Sequence, residues 1–198
     1  MTPHAAAALV LFVAFPALAH PGGHGDVAGF MPGFMPGFMH PWSSWGHVLP
    51  ALALGAWGRQ MGGFAAWALP GAFLLALAVG AGLGASGVAL PGVAAIVAAS
   101  AFVLGAALMA AARPALPAAA ALAAGFALFH GHAHGASLPY GADGALFGAG
   151  VVLTTGALLA IGIGVADALG RPATRPILRA AGAGVAAAAP FLLWGAGT

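Results

Sequence analysis

From residue 44 onward the chain divides into long apolar runs separated by short turns rich in Gly and Pro. A helix needs about 20 residues to cross the hydrocarbon of a bilayer. The runs predict helical spans at roughly 44–60, 63–84, 92–112, 115–134, 144–169 and 177–196. Turns are predicted at Gly62-Gly63, from Gly87 to Gly92, from Pro114 to Pro117, from Pro139 to Gly144 and from Gly170 to Pro176. The first run is short and contains Pro50. Gly80 with Gly84, and Gly144 with Gly148, have the small-xxx-small spacing of closely packed membrane helices. The expected fold is an all-α membrane protein of about six transmembrane helices after an N-terminal signal segment.

Two different patterns precede the runs. Residues 1–19 read as an export signal: an apolar stretch from Ala5 to Phe15 leads to Ala17-Leu18-Ala19, a small-residue cleavage site. Cleavage there makes His20 the new N-terminus. Residues 20–43 read as an exported segment rich in Gly, Pro, Met and Phe, and residues 44–198 as the six-span domain. The segment repeats a tetrapeptide: Gly29-Phe30-Met31-Pro32, Gly33-Phe34-Met35-Pro36 and Gly37-Phe38-Met39. Proline every four residues predicts that no regular helix forms here. The phenylalanines, with Trp42 and Trp45, suit an interfacial anchor. Met31, Met35 and Met39 offer a second reading, because thioethers favour soft ions such as Cu(I).

Composition fixes the solvent. Of 198 residues 62% are hydrophobic and only 4% charged, where a soluble domain carries about 25% charge; mean hydropathy is +1.03. With so few charges, lipid rather than water must surround the helices. Cysteine is absent, which excludes disulfides, thiolate metal sites and thiol catalysis. The net charge of +2 comes without a basic cluster interleaved with aromatics, so nucleic acid is not an expected partner.

The charges also orient the chain. With residue 20 outside and spans alternating, Arg59, Arg113, Arg171, Arg175 and Arg179 all fall on the cytoplasmic side, while Asp26 and Asp143 fall outside. Positively charged residues favour the cytoplasmic side in this way. The same topology puts His20, His24 and His40 in the exported segment, His47 at the outer start of span one, and His130, His132 and His134 at the outer end of span four.

These seven histidines are the candidate metal ligands. His130 and His134 are four apart and share a face if the helix persists through Gly131 and Gly135. Two such imidazoles can ligate one divalent ion, and polar groups inside a bilayer usually serve a pathway or a partner. His132 points elsewhere and can orient a neighbour. A cleaved N-terminus would present the His20 α-amine and imidazole together, with His24 close by. Antiparallel crossing predicts that His47, His130 and His134 form one site. The bland reading is that the imidazoles cap span four on backbone carbonyls.

The chain resembles the HupE/UreJ family. The residues that carry the resemblance are His20-Pro21-Gly22-Gly23-His24, Gly37-Phe38-Met39-His40-Pro41, Gly46-His47-Val48-Leu49, and Phe129-His130-Gly131-His132-Ala133-His134-Gly135 with Leu138-Pro139. Members are described as bacterial nickel or cobalt permeases and as accessory proteins of hydrogenase and urease systems. The resemblance implies an uptake permease of the inner membrane, with His40, His47, His130 and His134 as ligands. It departs from the family pattern at Gly46 and Ser137, which are usually acidic, and in having no histidine in the fifth span.

No prosthetic group is expected; a divalent transition metal (Ni or Co, with Cu or Zn as alternatives) is the substrate. Expected partners are membrane lipid and the metal ion, with a second copy of the chain or a metalloenzyme maturation system as open protein partners. A non-transporting metal-binding accessory or sensor protein, for copper or zinc, is the alternative function. An enzyme is not expected: Gly84-Ala85-Ser86-Gly87 resembles a serine hydrolase motif, but it lies in a turn and the last span has no histidine. A haem protein would need axial histidines from facing helices, with His47 and His130 as the available pair.

Overall fold

The computed structural model describes residues 30–195. Seven α-helices and one 3-10 helix follow in order: α1 Phe30–Met39, the 3-10 helix His40–Ser43, α2 Trp45–Met61, α3 Ala65–Ala85, α4 Val93–Ala110, α5 Leu116–Ala136, α6 Gly144–Leu169 and α7 Arg175–Gly195. Helices α3 to α7 are each long and apolar enough to cross a membrane. The predicted apolar runs thus coincide with α2 to α7 to within a few residues. Turn glycines are where the sequence placed them: Gly62, Gly63, Gly87 and Gly92 all take positive φ, which costs glycine no steric strain.

The Gly-Phe-Met-Pro repeat departs from expectation, because it is helical. Pro32 lies in the first turn, where its missing N–H loses nothing. Pro36 lies within the helix and forfeits one bond there. Tertiary packing decides the outcome. A four-residue repeat nearly matches the 3.6-residue turn, so each residue type forms a stripe. The glycine stripe lies against α6: a Cβ on Gly37 would overlap the Phe147 carbonyl, and one on Gly33 would meet Leu146. Phe30, Phe34 and Phe38 stack in series along an adjacent face, with centroids 5.0 and 5.7 Å apart. The methionines, two residues from each glycine, face away from α6, with Met31 and Met39 exposed.

Helix α2 has 17 residues and is the shortest of the six predicted spans. It lies end to end with α1 along one partner. Gly33 and Gly37 of α1 abut Leu146 and Phe147, whereas Gly55 of α2 abuts Leu159. The ten residues of α1 and the 17 of α2 together match the 26 of α6, which is about 39 Å long at 1.5 Å per residue. The helical rod laid along α6 is therefore broken, interrupted at residues 40–44. Thr154 of α6 stands opposite the break and donates to the Phe38 carbonyl at 2.7 Å. Ser44 caps the renewed helix, its Oγ accepting from the Gly46 N–H at 3.2 Å.

Small residues govern the other contacts. Gly80 and Gly84 of α3 meet the Leu128 and His132 carbonyls of α5, while Gly131 and Gly135 of α5 meet Leu77 and Ala81 of α3. That half of the small-xxx-small expectation holds. Gly148 faces open space and Gly144 touches only a leucine side chain, so the second pair is not a helix contact. Helices α4 and α7 pack through Gly105 and Gly182. Trp57, Leu54, Leu69, Phe73, Leu104 and Leu158 fill the centre.

The bundle has two chemically distinct ends. At one, Arg59 pairs with Asp167, Arg179 donates to the Met109 carbonyl at 2.7 Å, and the Trp57 indole N–H donates to the Ala112 carbonyl at 2.9 Å. The histidines occupy the other half, below the turns that join α3 to α4 and α5 to α6.

Candidate metal site

Three elements bring four histidines together. His130 and His134 lie on α5, which stays helical through Ala136, so the four-residue spacing puts both on one face. His47 lies on the first turn of α2 and His40 on the 3-10 helix at the break. The His47 ring centroid is 4.1 Å from that of His134 and 5.1 Å from that of His130. His40 is 5.1 Å from His134 and 6.4 Å from His47. His130 and His134 are buried, at 2% and 1% exposure. Phe73 and Phe147 form apolar walls beside His130 and His40.

The closest approach is His47 Nδ1 to His130 Nδ1, at 3.0 Å. One of these nitrogens must carry a proton and the other a lone pair. Among the described residues, no three histidine or aspartate side chains have donor atoms already gathered around one point. The rings are nevertheless within reach of it. Two nitrogens 3.0 Å apart, each about 2.0–2.1 Å from one ion, would subtend roughly 90–97°. That angle suits adjacent positions of an octahedral or square-planar ion better than a tetrahedral one. His134 Nδ1 is buried without a hydrogen-bond partner, which is costly unless something else engages it. Direct contact between His47 and His130 leaves no room for a porphyrin plane, which removes the axial-pair reading.

His132 stands apart. Its Nε2 donates to the Val88 carbonyl at 2.6 Å, tying α5 to the turn before α4. It behaves as the capping reading expected of the whole cluster. His20 and His24, with the signal segment and its cleavage site, lie outside the described residues. The methionine stripe of α1 faces away from α6, the helix that carries Thr154 opposite the break.

Two polar side chains at the site carry no motif. Thr154 fixes the break through Phe38. Ser100, fully buried on α4, lies 2.8 Å from His130 Nε2. The available signal for both was polarity within an apolar run, which is expensive in a bilayer. A cavity of about 320 Å³ adjoins His47 and is bordered by Ser44, Gly46, Val97, Ala133 and Leu192. Of the four clustered histidines, only His47 lines it.

Together these features define a multi-pass, all-α membrane protein with a buried histidine cluster beside a broken helix. Residues 8–192 match the family model described as HupE / UreJ protein. The chain is also 36% identical over 187 residues to Protein HupE of Rhizobium leguminosarum bv. viciae, covering 92% of this chain and 94% of that one. The chain belongs to the HupE/UreJ family. No solved structure shows a significant match.

Proposed function

We propose that this protein is an uptake permease for a nickel- or cobalt-type ion in a bacterial inner membrane, capturing the ion through histidines on the exported side. The carrying observation is the convergence of His40, His47, His130 and His134 at the break between α1 and α2. Transporters commonly place ion sites where a spanning helix is interrupted, because the backbone there can line a cavity. The arginine distribution supports an outward-facing cluster. His20 and His24, on an exported tail, would make a first capture point. His40 and His47 would then receive the ion beside His130 and His134.

The membrane potential is a sufficient driving force. Moving one charge across 100 mV is worth about 2.3 kcal/mol. A divalent ion therefore gains about 4.6 kcal/mol, roughly three decades of accumulation. Among the described residues no aspartate lies deep in a span to relay protons; Asp143 caps the start of α6 and Asp167 is engaged with Arg59 at the opposite end.

A second reading has a specific observation behind it. Gly46 and Ser137 stand where the family pattern is usually acidic, which leaves a neutral, nitrogen-rich site. Such a site suits a binder of copper or zinc that senses or hands on metal without conducting it. Uptake of labelled nickel and cobalt by whole cells, paired with titration of the purified protein with Ni, Co, Cu and Zn, separates the two. Accumulation that requires His130 supports the permease. Tight binding with no accumulation above the vector control would sink it in favour of the binder.

A further inference from the structure

Ser100 is the one side chain from α4 that hydrogen-bonds to the histidine cluster. Its Oγ is 2.6 Å from the Val97 carbonyl on its own helix and 2.8 Å from His130 Nε2. Ser100 is 0% exposed and His130 2%. A hydroxyl has a single proton, and a carbonyl can only accept. With the Ser100 proton committed to Val97, the Oγ lone pair must accept from His130 Nε2–H. A neutral imidazole carries one N–H, so His130 Nδ1 is left with its lone pair. That atom is the one 3.0 Å from His47 Nδ1.

We propose that Ser100 is a positioning residue that fixes the tautomer and ring orientation of His130, so that Nδ1 is always the nitrogen offered to the cluster. A directed chain results: His47 Nδ1–H donates to His130 Nδ1, His130 Nε2–H donates to Ser100 Oγ, and Ser100 Oγ–H donates to the Val97 carbonyl. His47 then keeps a free lone pair on Nε2. An arriving cation finds the His130 Nδ1 lone pair without stripping a proton from His130, and binding through both Nδ1 atoms requires only that His47 carry its proton on Nε2 instead. Metal-bound histidines generally need their distal N–H held in this way, and loss of the holding partner typically costs about 10- to 100-fold in affinity. The part of the inference that concerns cations rests on the metal-site reading above; the tautomer does not.

The test uses the full chain in lipid nanodiscs with 15N-labelled histidine. On metal-free protein, long-range 15N–1H spectra distinguish the two tautomers, and loss of signals in His130→Asn assigns the ring. The wild type is expected to show His130 as the Nε2–H form. Ser100→Ala should give the Nδ1–H form or a mixture, and should weaken Ni(II) binding by about 10- to 100-fold with the helix content unchanged. Ser100→Thr, which keeps a hydroxyl, should restore both. An Nδ1–H form in the wild type, or an unaltered tautomer in Ser100→Ala, overturns the proposal. If the wild type binds no nickel, cobalt, copper or zinc, the metal reading falls, while the tautomer measurement still decides the role of Ser100.

Discussion

His130 turns one ring nitrogen to Ser100 and the other to His47, and His134 keeps a buried nitrogen unpartnered beside them. His132, on the same helix, spends its Nε2 on the Val88 carbonyl outside the cluster, and its own Nδ1 is also buried without a partner. Substitutions should divide along that line. His130→Ala and His134→Ala should each abolish accumulation of labelled metal. His132→Ala should retain most of it, and instead lower thermal stability by about 1 kcal/mol, the usual net worth of one hydrogen bond. Equal, full uptake in all three variants would mean that the rings only cap a helix. Proton competition acts on the same lone pairs. Metal binding should fall as pH drops, because a protonated imidazole has no lone pair to offer the ion. Because bound metal opposes that proton, the midpoint should move lower as metal concentration rises. Titrations at several pH values check both the sign and the shift; binding that does not respond to pH anywhere the protein stays folded would remove imidazole as the ligand.

At the scale of elements, the site depends on α1 and α2 being held along α6. Gly37 supplies the closest approach, with no space for even a Cβ against the Phe147 carbonyl, whereas Gly148 on α6 faces open space. Gly37→Leu should force α1 outward, costing about 1–3 kcal/mol as overpacking does, and should weaken metal binding by displacing His40. Gly148→Leu should leave both properties near the wild type. Thermal unfolding and metal titration of the two variants read this directly; comparable losses in both would show that α1 does not depend on the glycine contact. This is also where local reasoning had least to work with. The tetrapeptide repeat contains two helix-breaking prolines, and nothing nearby in sequence reveals that residues 143–154 will provide a surface for its glycines. The opposite holds for α5, whose apolar length and four-residue histidine spacing can be read without a partner.

For the whole molecule, the arginines lie at one end of the bundle and the histidine cluster in the opposite half. If the arginines mark the cytoplasm, a reporter fused after Gly170 should read cytoplasmic and one fused after Thr198 should read exported. An exported signal at Gly170 would invert the bundle and turn the histidine cluster to the cytoplasm. The predicted spans, the turns between them and the segregation of charge follow from quantities the chain carries locally: apolar run length, Gly and Pro punctuation, and the high cost of placing a guanidinium in hydrocarbon. His130 and His134 share a face for an equally local reason, the period of the helix. Tertiary structure alone decided that the Gly-Phe-Met-Pro repeat is helical, that the chain is broken opposite Thr154, and that the Val88 carbonyl engages His132, which the helix period already turns away from the pair. Placing His40 and Ser100 around the α5 pair depended on it too, whereas the alternation of spans already predicts His47 at their depth. Each of these outcomes is set by backbones approaching within a glycine's width, or by hydrogen bonds between residues distant in sequence. Such contacts exist only once helices from different parts of the chain have met.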